Sequence, residues 1–368
     1  MSITKIVITG GPCAGKTTGM SWIQNALGSR GYRVLFVPET ATELITGGVA
    51  PWTCGSNLDF QKCQVKLQLE KERIFHRAAE SMKDEKILIV CDRGVLDNKA
   101  YMSEMEFQAV LNALDLDAVA LRDDYDGVFH LVTAASGAEE FYTLENNQAR
   151  TETPEQAREL DDKLIAAWTG HPHLRVIGND VDFDSKMKRL IAEITSLLGE
   201  PEPFEIERRF LIEYPDITWL ERLPNCHRVE VIQTYLLSEN GDEVRVRQRG
   251  ENASYSYYQT TKRRISGVKR VEVERRLTQR EYLSLLMEAD PAMHPIRKTR
   301  YCLTWENQYF ELDVYPFWND RAILEIELND ENAEIRFPKE LKIIREITED
   351  EAYRNYSLAK CIPDSVQI

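Results

Sequence analysis

The two halves of the chain follow different patterns of hydrophobic and polar positions. Up to about residue 198, short apolar runs alternate with stretches of helical periodicity. The runs predicted as strands are KIVITG, VLFVPE, ILIVCD, VFHLVT and LRVIGN, and helices are predicted around 17–29, 59–83, 103–113, 155–169 and 183–198. Continuous apolar strands separated by helices indicate a parallel sheet that is covered on both faces.

After the sequence GEPEP (199–203), strands dominate. GEPEP combines a helix-ending glycine with two prolines, which is typical of a linker. The strands that follow are predicted at 204–212, 228–238, 242–249, 254–264, 268–277, 297–305, 308–315 and 322–329. Short turns between several of them favour an antiparallel sheet. We therefore expect two domains, residues 1–200 and 204–368, of the α/β and α+β classes respectively.

The composition of the chain limits the partners and the cellular compartment that we expect. The net charge of −15 would repel a nucleic-acid backbone, so no nucleic-acid partner is expected. No apolar run reaches the roughly 20 residues of a membrane span, and the start of the chain lacks the pattern of a secretion signal. The seven scattered cysteines form no CxxC pair, which favours free thiols in a reducing, cytoplasmic setting.

The sequence GGPCAGKTT follows the first predicted strand and precedes the first predicted helix. Gly10, four further residues and Gly15-Lys16-Thr17 give the spacing of a phosphate-binding loop. In such a loop backbone N–H groups surround phosphate oxygens, a lysine adds positive charge and a threonine hydroxyl ligates Mg²⁺. The candidate ATP- or GTP-binding residues here are Gly10, Gly11, Pro12, Cys13, Ala14, Gly15, Lys16, Thr17 and Thr18.

Other candidate residues in this half lie at strand ends or in a loop. Asp92 ends ILIVCD and is a candidate magnesium ligand or base, and the adjacent Arg93 is a candidate phosphate contact. Glu39 ends VLFVPE and is a candidate base for a substrate hydroxyl, with a solvated loop carboxylate as the alternative. Arg150 precedes a helix start and is a candidate mobile arginine. Together with the phosphate loop, these residues resemble the nucleotide domain of nucleoside and nicotinamide-riboside kinases.

Charged residues in the second half recur with the period of two that places both on one face of a strand. The pairs, some extended by a third residue, are Glu205/Glu207 with Arg209, Arg245/Arg247, Glu272/Glu274, Lys298/Arg300, Glu311/Asp313 and Glu325/Glu327, with Lys262 alone on its strand. One interpretation is a set of solvated outer faces. The alternative is a closed barrel that encloses the charges, which favours a polyphosphate held with divalent cations.

These pairs resemble the CYTH domain of the triphosphate tunnel metalloenzymes, over residues of about 204–361. The opening signature of that family, E-x-E-x-K, is here Glu205, Glu207 and Arg209, so arginine replaces lysine. The resemblance implies hydrolysis of a triphosphate-bearing substrate with Mg²⁺ or Mn²⁺. It implies metal ligation by Glu205, Glu207, Asp313, Glu325 and Glu327, and phosphate binding by Arg209, Arg245, Arg247, Lys262, Lys298 and Arg300. Glu205, Glu207 and Lys262 are its candidate catalytic residues, beside Glu39 and Asp92 in the first domain. Glu272 and Glu274 are candidates for orienting the basic residues.

Two further features receive structural interpretations. His171 and His173 flank a proline, and without a third ligand nearby a structural loop is favoured over a metal site. The basic run KRRISGVKR (262–270) favours a solvated hairpin turn, with peripheral contact to anionic lipid as the alternative. The resulting expectation is a phosphohydrolase fused to a kinase-like domain. The rival expectation is a nucleotide-switched binding protein whose tunnel holds a phosphorylated ligand without turnover.

Overall fold

The computed structural model describes residues 2–139, 153–200, 206–238, 242–266, 269–328 and 333–361, and of residues 206, 263–266 and 269–272 the backbone alone. The chain divides into two compact units, Met1–Pro201 and Glu202–Ile368. Each unit has its own sheet and its own core.

The first unit is built on a five-stranded parallel sheet. Its strands are β1 (Ser2–Thr9), β2 (Arg33–Val37), β3 (Lys86–Asp92), β4 (Gly127–Leu131) and β5 (Leu174–Ile177), in the order β2-β3-β1-β4-β5. All four pairs are parallel, as predicted. The carboxyl ends of the strands therefore share one edge of the sheet, where ligands bind in open α/β folds.

Helices flank this sheet. They are α1 (Lys16–Gly28), α2 (Thr40–Thr46), α3 (Asn57–Glu80), α4 (Glu104–Leu114), α5 (Ala118–Arg122), α6 (Pro154–Trp168) and α7 (Phe183–Leu197), with a 3₁₀ segment at Val95–Tyr101. The five predicted helices lie within about three residues of α1, α3, α4, α6 and α7, whereas α2 and α5 are too short to show a clear period. α6 begins with Thr153 bonded to the Gln156 N–H and Pro154 in its first turn.

The core of the first unit lies between β1, β3, β4 and the helices α1 and α7. Ile6, Ile8 and Leu88 are fully buried in the sheet, and Ile23 and Leu190 cover them from the two helices. On the other side of the sheet, α6 packs against the 3₁₀ segment. There Trp168 is fully buried, and its indole N–H donates to Asp97 Oδ1 at 2.8 Å.

The second unit contains a nine-stranded antiparallel sheet. Its strands are β6 (Ile206–Glu213), β7 (Cys226–Tyr235), β8 (Glu243–Glu251), β9 (Ser254–Ser266), β10 (Lys269–Leu277), β11 (Ile296–Trp305), β12 (Gln308–Val314), β13 (Arg321–Leu328) and β14 (Ile343–Glu346). The order is β10-β9-β8-β7-β11-β12-β13-β6-β14. Within the described residues, no recorded strand pair closes this sheet into a ring. The predicted closed barrel therefore stays a prediction.

Three short helices accompany this sheet, namely α8 (Ile217–Arg222), α9 (Gln279–Leu285) and α10 (Asn355–Lys360). Leu220 of α8 packs with Phe210, Leu312 and Leu324, which come from one face of the sheet. These helices and β14 were absent from the sequence prediction. In the described ranges of both units, no helix has the length and apolar character needed to cross a membrane.

Replacement of Gly94 by alanine tests the packing of α6 against the 3₁₀ segment. A Cβ at Gly94 would lie 2.4 Å from a ring carbon of Trp168 and 2.8 Å from Val7. Because both neighbours are buried, we expect Gly94→Ala to lower the free energy of unfolding of the first unit by about 1–3 kcal/mol. Chemical denaturation measures this.

The control for this test is Gly28→Ala, at the end of α1. A Cβ there would meet its nearest atom, on Gln24, at 3.6 Å, so we expect unchanged or slightly higher stability. Equal unfolding free energies for the two variants would contradict the described packing of Trp168.

Candidate functional site

The phosphate loop connects β1 to α1 and has the backbone conformation that its glycines permit. Gly10 and Gly15 have φ of 141° and 90°, and Cys13 has φ of 57°. A Cβ at Gly10 would lie 2.1 Å from the carbonyl oxygen of Leu131, so only glycine fits there. Lys16 begins α1 and donates to the Gly10 carbonyl at 3.3 Å, while Thr17 and Thr18 are exposed. The loop and the start of the helix thus form a concave anion site.

Three sequence-predicted residues lie together beside this loop. Arg93 Nε donates to Glu39 Oε1 at 3.0 Å, and Thr42 donates to the other oxygen of Glu39 at 2.7 Å. Although burial opposes ionisation of Glu39, the charges of Arg93 and Lys16 lower its pKa. Glu39 is therefore an ionised carboxylate near Lys16, the lysine of the phosphate loop.

Asp92 lies in the same cluster and has an unusual environment. Burial raises the pKa of Asp92, the charge of Lys16 opposes that rise, and the charge of Glu39 adds to it. The buried Oδ1 atom of Asp92 and the buried Nη1 atom of Arg93 have no hydrogen-bond partner among the described residues. An oxygen ligand of this kind beside a phosphate loop suits Mg²⁺ or its water. The sequence prediction and the geometry agree on the position, and the metal role stays a prediction.

Two further predicted features of the first unit have different outcomes. Arg150 lies outside the described residues, so its proposed role as a mobile arginine stays a prediction. His171 is fully buried and pairs with the carbonyl of Tyr125 at 3.0 Å, and its other ring nitrogen accepts from the His173 N–H at 3.0 Å. Both ring nitrogens of His171 are therefore used by the fold, which agrees with the structural interpretation.

The strand register of the second unit gathers the predicted charged positions on one face of the sheet. Arg300 lies opposite Asp313, Glu311 opposite Glu325, and Glu325 opposite Arg209. Towards the β10 edge of the same sheet, Arg245 lies opposite Thr260, and Thr260 lies opposite Glu274. Lys262 lies opposite Glu272. Since directly paired residues share a face, these positions define one charged face that extends from β10 to β6.

The centre of the charged face is a buried ion network. Arg300 donates to both oxygens of Asp313, at 2.7 Å each, to Glu325 at 2.9 Å, and also to Glu311. Lys298 donates to Asp313 as well, and Asp313 is fully buried. Burial opposes every charge here, but Arg300 and Lys298 still lower the pKa of Asp313. Arg300 and Lys298 are predicted phosphate ligands, and both are held in place by this carboxylate.

Other charged residues of this face have their own partners away from that centre. Arg247 donates to Glu274 at 2.8 Å, and Thr260 donates to the same carboxylate oxygen at 3.0 Å. Glu274 therefore orients Arg247, as the sequence suggested. The buried Arg209 donates to the carbonyl of Thr348 at 2.9 Å. Glu205 and the side chain of Glu272 lie outside the described atoms.

Three carboxylates lie near one end of β6 and β13, and one of them, Glu325, also belongs to the ion network of Arg300. Glu207 and Glu327 lie directly opposite each other and are exposed, and Glu325 lies one position further in on the same face. Burial first, then the charges of Glu207 and Asp313, raise the pKa of Glu325 to about 7. Like charges directly opposite on a sheet repel, so a divalent cation would relieve this arrangement.

The predicted metal ligands differ in their surroundings. Among the described residues, no group of three or more His, Cys, Asp or Glu side chains has the arrangement of a metal site. Asp313 directs its oxygens to Lys298 and Arg300, which makes it an anchor for two cations. Glu207, Glu325 and Glu327 lie near one another in the strand register, and in the described residues they do not meet in a metal-binding arrangement. The metal role of all five predicted ligands stays a prediction.

Several residues of these sites escaped the sequence analysis. Arg249 continues the spacing of Arg245 and Arg247 and is buried, so the period of two could have identified it. Asp161 on α6 accepts from the Gly11 N–H at 2.6 Å, and Lys186 on α7 donates to the Ala14 carbonyl at 3.2 Å. These two residues lie far from the loop in sequence, and no local pattern marks them.

Both a family profile and a curated relative match this chain. A family profile described as an AAA domain matches residues 5–186. The inorganic triphosphatase of Nitrosomonas europaea is 32% identical over 163 residues, which are 43% of this chain and 99% of that protein. Over this stretch, the chain belongs to the family of that inorganic triphosphatase.

Two solved structures are similar to the same share of the chain. One is a crystal structure of a hypothetical protein, 31% identical, which covers 44% of this chain and 100% of its own with a TM-score of 0.31. The other is a crystal structure of an inorganic triphosphatase, 29% identical, which covers 44% of this chain and 97% of its own with a TM-score of 0.30. Each of these two matches covers less than half of this chain.

Replacement of Asp313 by asparagine tests the ion network in the triphosphatase-family chain. Asp313→Asn leaves Lys298 and Arg300 buried with one carboxylate fewer, so we expect a loss of about 3–5 kcal/mol in the unfolding free energy of the second unit. Denaturant unfolding, followed by near-ultraviolet circular dichroism, measures it.

The control for this test is Glu213→Gln on β6. Glu213 pairs with Lys342 at 3.1 Å, but both side chains are exposed, so a change of less than about 1 kcal/mol is expected. If Asp313→Asn were as stable as the control, the network would not need its central carboxylate.

Proposed function

We propose that the second unit is a divalent-metal-dependent phosphohydrolase of the CYTH type, which acts on a triphosphate-bearing substrate. Inorganic triphosphate, a nucleoside triphosphate and thiamine triphosphate are the candidate substrates. The observation that carries the proposal is the charged face, which gathers cations and carboxylates from seven strands and buries several of them.

The family match supports this assignment to the second unit. The matched 163 residues are close in number to the residues of the unit Glu202–Ile368, whereas the AAA profile occupies residues 5–186 in the first unit. We therefore assign the triphosphatase similarity to the second unit. What the relative acts on comes to this chain only as part of the proposal.

The energetics of buried charge also support a binding role. A buried ion pair adds little net stability, because desolvation offsets most of the attraction. A face with several buried cations is thus not explained by folding alone. Arginine and lysine groups directed at one volume from several strands would hold a polyphosphate on several sides. If the sheet closes into the predicted barrel, this volume becomes the tunnel.

We assign the divalent cation of this proposal to the carboxylates at one end of the face. Glu207, Glu325 and Glu327 are the described residues that would hold it, with Glu205 as the further candidate from the sequence. Such an ion supplies Lewis-acid charge and activated water. The basic residues bind and orient the phosphates, while Asp313 and Glu274 fix the directions of Lys298, Arg300 and Arg247.

For the first unit we propose binding of ATP or GTP with Mg²⁺ at the phosphate loop. Lys16 supplies positive charge, Thr17 and Asp92 are the candidate magnesium ligands, and Glu39 is the candidate base for a phosphoryl acceptor. A kinase reaction is one outcome. The rival proposal is a nucleotide-switched binding protein. The ion pairs of Arg300 favour this rival if they hinder entry of a substrate.

Adjacent arginines on β6 provide a matched test of the tunnel proposal. Arg209 lies on the charged face, whereas Arg208 lies on the opposite face and pairs with Glu346 at 2.6 Å. We expect Arg209→Met to lower Mg²⁺-dependent phosphate release from inorganic triphosphate by about 10²–10³-fold, because a preorganised cation is lost. Arg209→Lys retains the positive charge and introduces the lysine of the CYTH signature, so it should lose much less.

Arg208→Met is the control and should leave phosphate release unchanged. A thermal-unfolding scan of each variant separates a folding defect from a catalytic one. Equal losses for Arg208→Met and Arg209→Met would contradict the proposal. If the intact protein releases no phosphate while Glu325→Ala changes its affinity for triphosphate, the rival binding function is favoured.

The phosphate loop has an independent test. Lys16→Met should weaken binding of Mg²⁺-bound ATP or GTP by about 10–100-fold, because a charge-assisted contact to phosphate is lost. Isothermal titration of the full chain measures it. Lys66→Met, an exposed change on α3, is the control and should bind normally. Equal affinities of the two variants would refute nucleotide binding at this loop.

A further inference from the structure

Three residues of the phosphate loop accept hydrogen bonds from, or donate them to, side chains outside the loop. Asp161 Oδ1 accepts from the Gly11 N–H at 2.6 Å, Thr133 donates its hydroxyl to the Pro12 carbonyl at 2.5 Å, and Lys186 Nζ donates to the Ala14 carbonyl at 3.2 Å. The three anchors come from α6, from the segment after β4 and from α7. The loop conformation thus depends on residues outside its own motif.

Lys186 is the charged anchor that faces a loop carbonyl. Its ammonium group also donates to the Val132 carbonyl at 2.7 Å and to Asn179 Oδ1 at 2.6 Å, and the residue is 3% exposed. The Asn179 amide in turn donates to the carbonyls of Thr133 and Ser136, at 2.7 and 2.8 Å. A buried lysine is rare unless it is paired with a charge. Here the three acceptors are uncharged, namely two backbone carbonyls and the side-chain amide of Asn179. The fold therefore keeps a costly charge directly behind the loop.

The geometry of the peptide unit connects this charge to the ligand side of the loop. In a planar trans peptide the C=O and N–H groups point in opposite directions. Because the Ala14 carbonyl points to Lys186, the N–H of Gly15 in the same peptide unit points away from α7. By the same argument, the Thr133 bond to the Pro12 carbonyl directs the N–H of Cys13 away from Thr133. Successive N–H groups directed to one side form an anion-binding concavity.

We propose that Lys186 is a positioning residue of the nucleotide site, whose ammonium group holds and polarises the Ala14–Gly15 peptide so that the Gly15 N–H binds phosphate. The proposal rests on nucleotide binding at the phosphate loop. A hydrogen bond to the carbonyl strengthens the N–H of the same amide as a donor. The ammonium also adds positive charge beneath the phosphates, which a neutral donor in its place would not do.

The charge state of Lys186 provides a readout that a purely structural residue would not change. Burial lowers the pKa of Lys186 to about 8, and the charge of Asp161 opposes that shift. The other charged or titratable groups around the loop are His130 on β4, which pairs with Asp161 at 3.0 Å, Lys16 on α1, and Cys13 in the loop itself. Bound phosphate favours the protonated lysine, so nucleotide affinity should decrease as the pH rises above about 8.

The stability of the free protein should change in the opposite direction. Between about pH 8 and 10.5, the unfolded chain keeps a proton on Lys186 that the folded chain has lost. The unfolding free energy therefore rises with pH through this window. Opposite pH trends for stability and for nucleotide affinity are expected of a buried ammonium group that strengthens nucleotide binding and destabilises the fold.

The experiment is isothermal titration of the full chain with Mg²⁺-bound ATP and GTP, at pH values from 7 to 9.5. We expect affinity to fall by about tenfold from pH 7.5 to 9.5. We expect Lys186→Met to weaken binding by at least about tenfold at pH 7 and to remove most of this pH dependence. Lys188→Met, an exposed change on the same helix, should behave like the parent.

The outcomes separate this inference from the nucleotide proposal on which it rests. If the parent protein binds neither nucleotide, both are overturned. If the parent binds and Lys186→Met binds equally well with the same pH profile, the positioning role alone is overturned. If Lys186→Met does not fold, the parent profile decides. A flat profile from pH 7 to 9.5 overturns the inference, and a decline shared by Lys188→Met supports it.

Discussion

A charge that is removed from water needs a partner, and this constraint shapes both units of the protein. In the second unit it locks Arg300 between three carboxylates and places Asp313 at a fully buried centre. In the first unit it gives Lys186 three acceptors, two of them backbone carbonyls. Because such arrangements contribute little net stability, their presence directs attention to ligands that are themselves highly charged.

Much of the architecture could be predicted from periodicity alone. Continuous apolar strands indicated the parallel sheet, and the period of two in the second half correctly placed partners such as Arg300 and Asp313 on one face. Local motifs also placed Lys16, Glu39 and Asp92 at one edge of a sheet, because parallel strands share that edge. The information for these features lies in residues close together in sequence, so it is legible without a structure.

What escaped prediction depends on contacts between residues far apart in sequence. Asp161 lies 150 residues from Gly11, and neither its helix nor its spacing marks it as an anchor. The ion pairing of Lys298 and Arg300 was also invisible, since a sequence shows that charges share a face but not which ones meet. The short elements α2, α5, α8 and β14 have too few residues to display a period. Tertiary packing decides their conformation.

The position of β6 has a consequence for how the second unit is made. β6 is the first strand of this unit, yet it pairs with β13 and β14, the last two. On a ribosome, β6 therefore has no strand partner until almost the whole unit has been synthesised. Such long-range pairing slows folding and exposes an unpaired strand edge in the meantime. The four charged residues of β6, namely Glu207, Arg208, Arg209 and Glu213, make that unpaired strand less prone to associate with another copy.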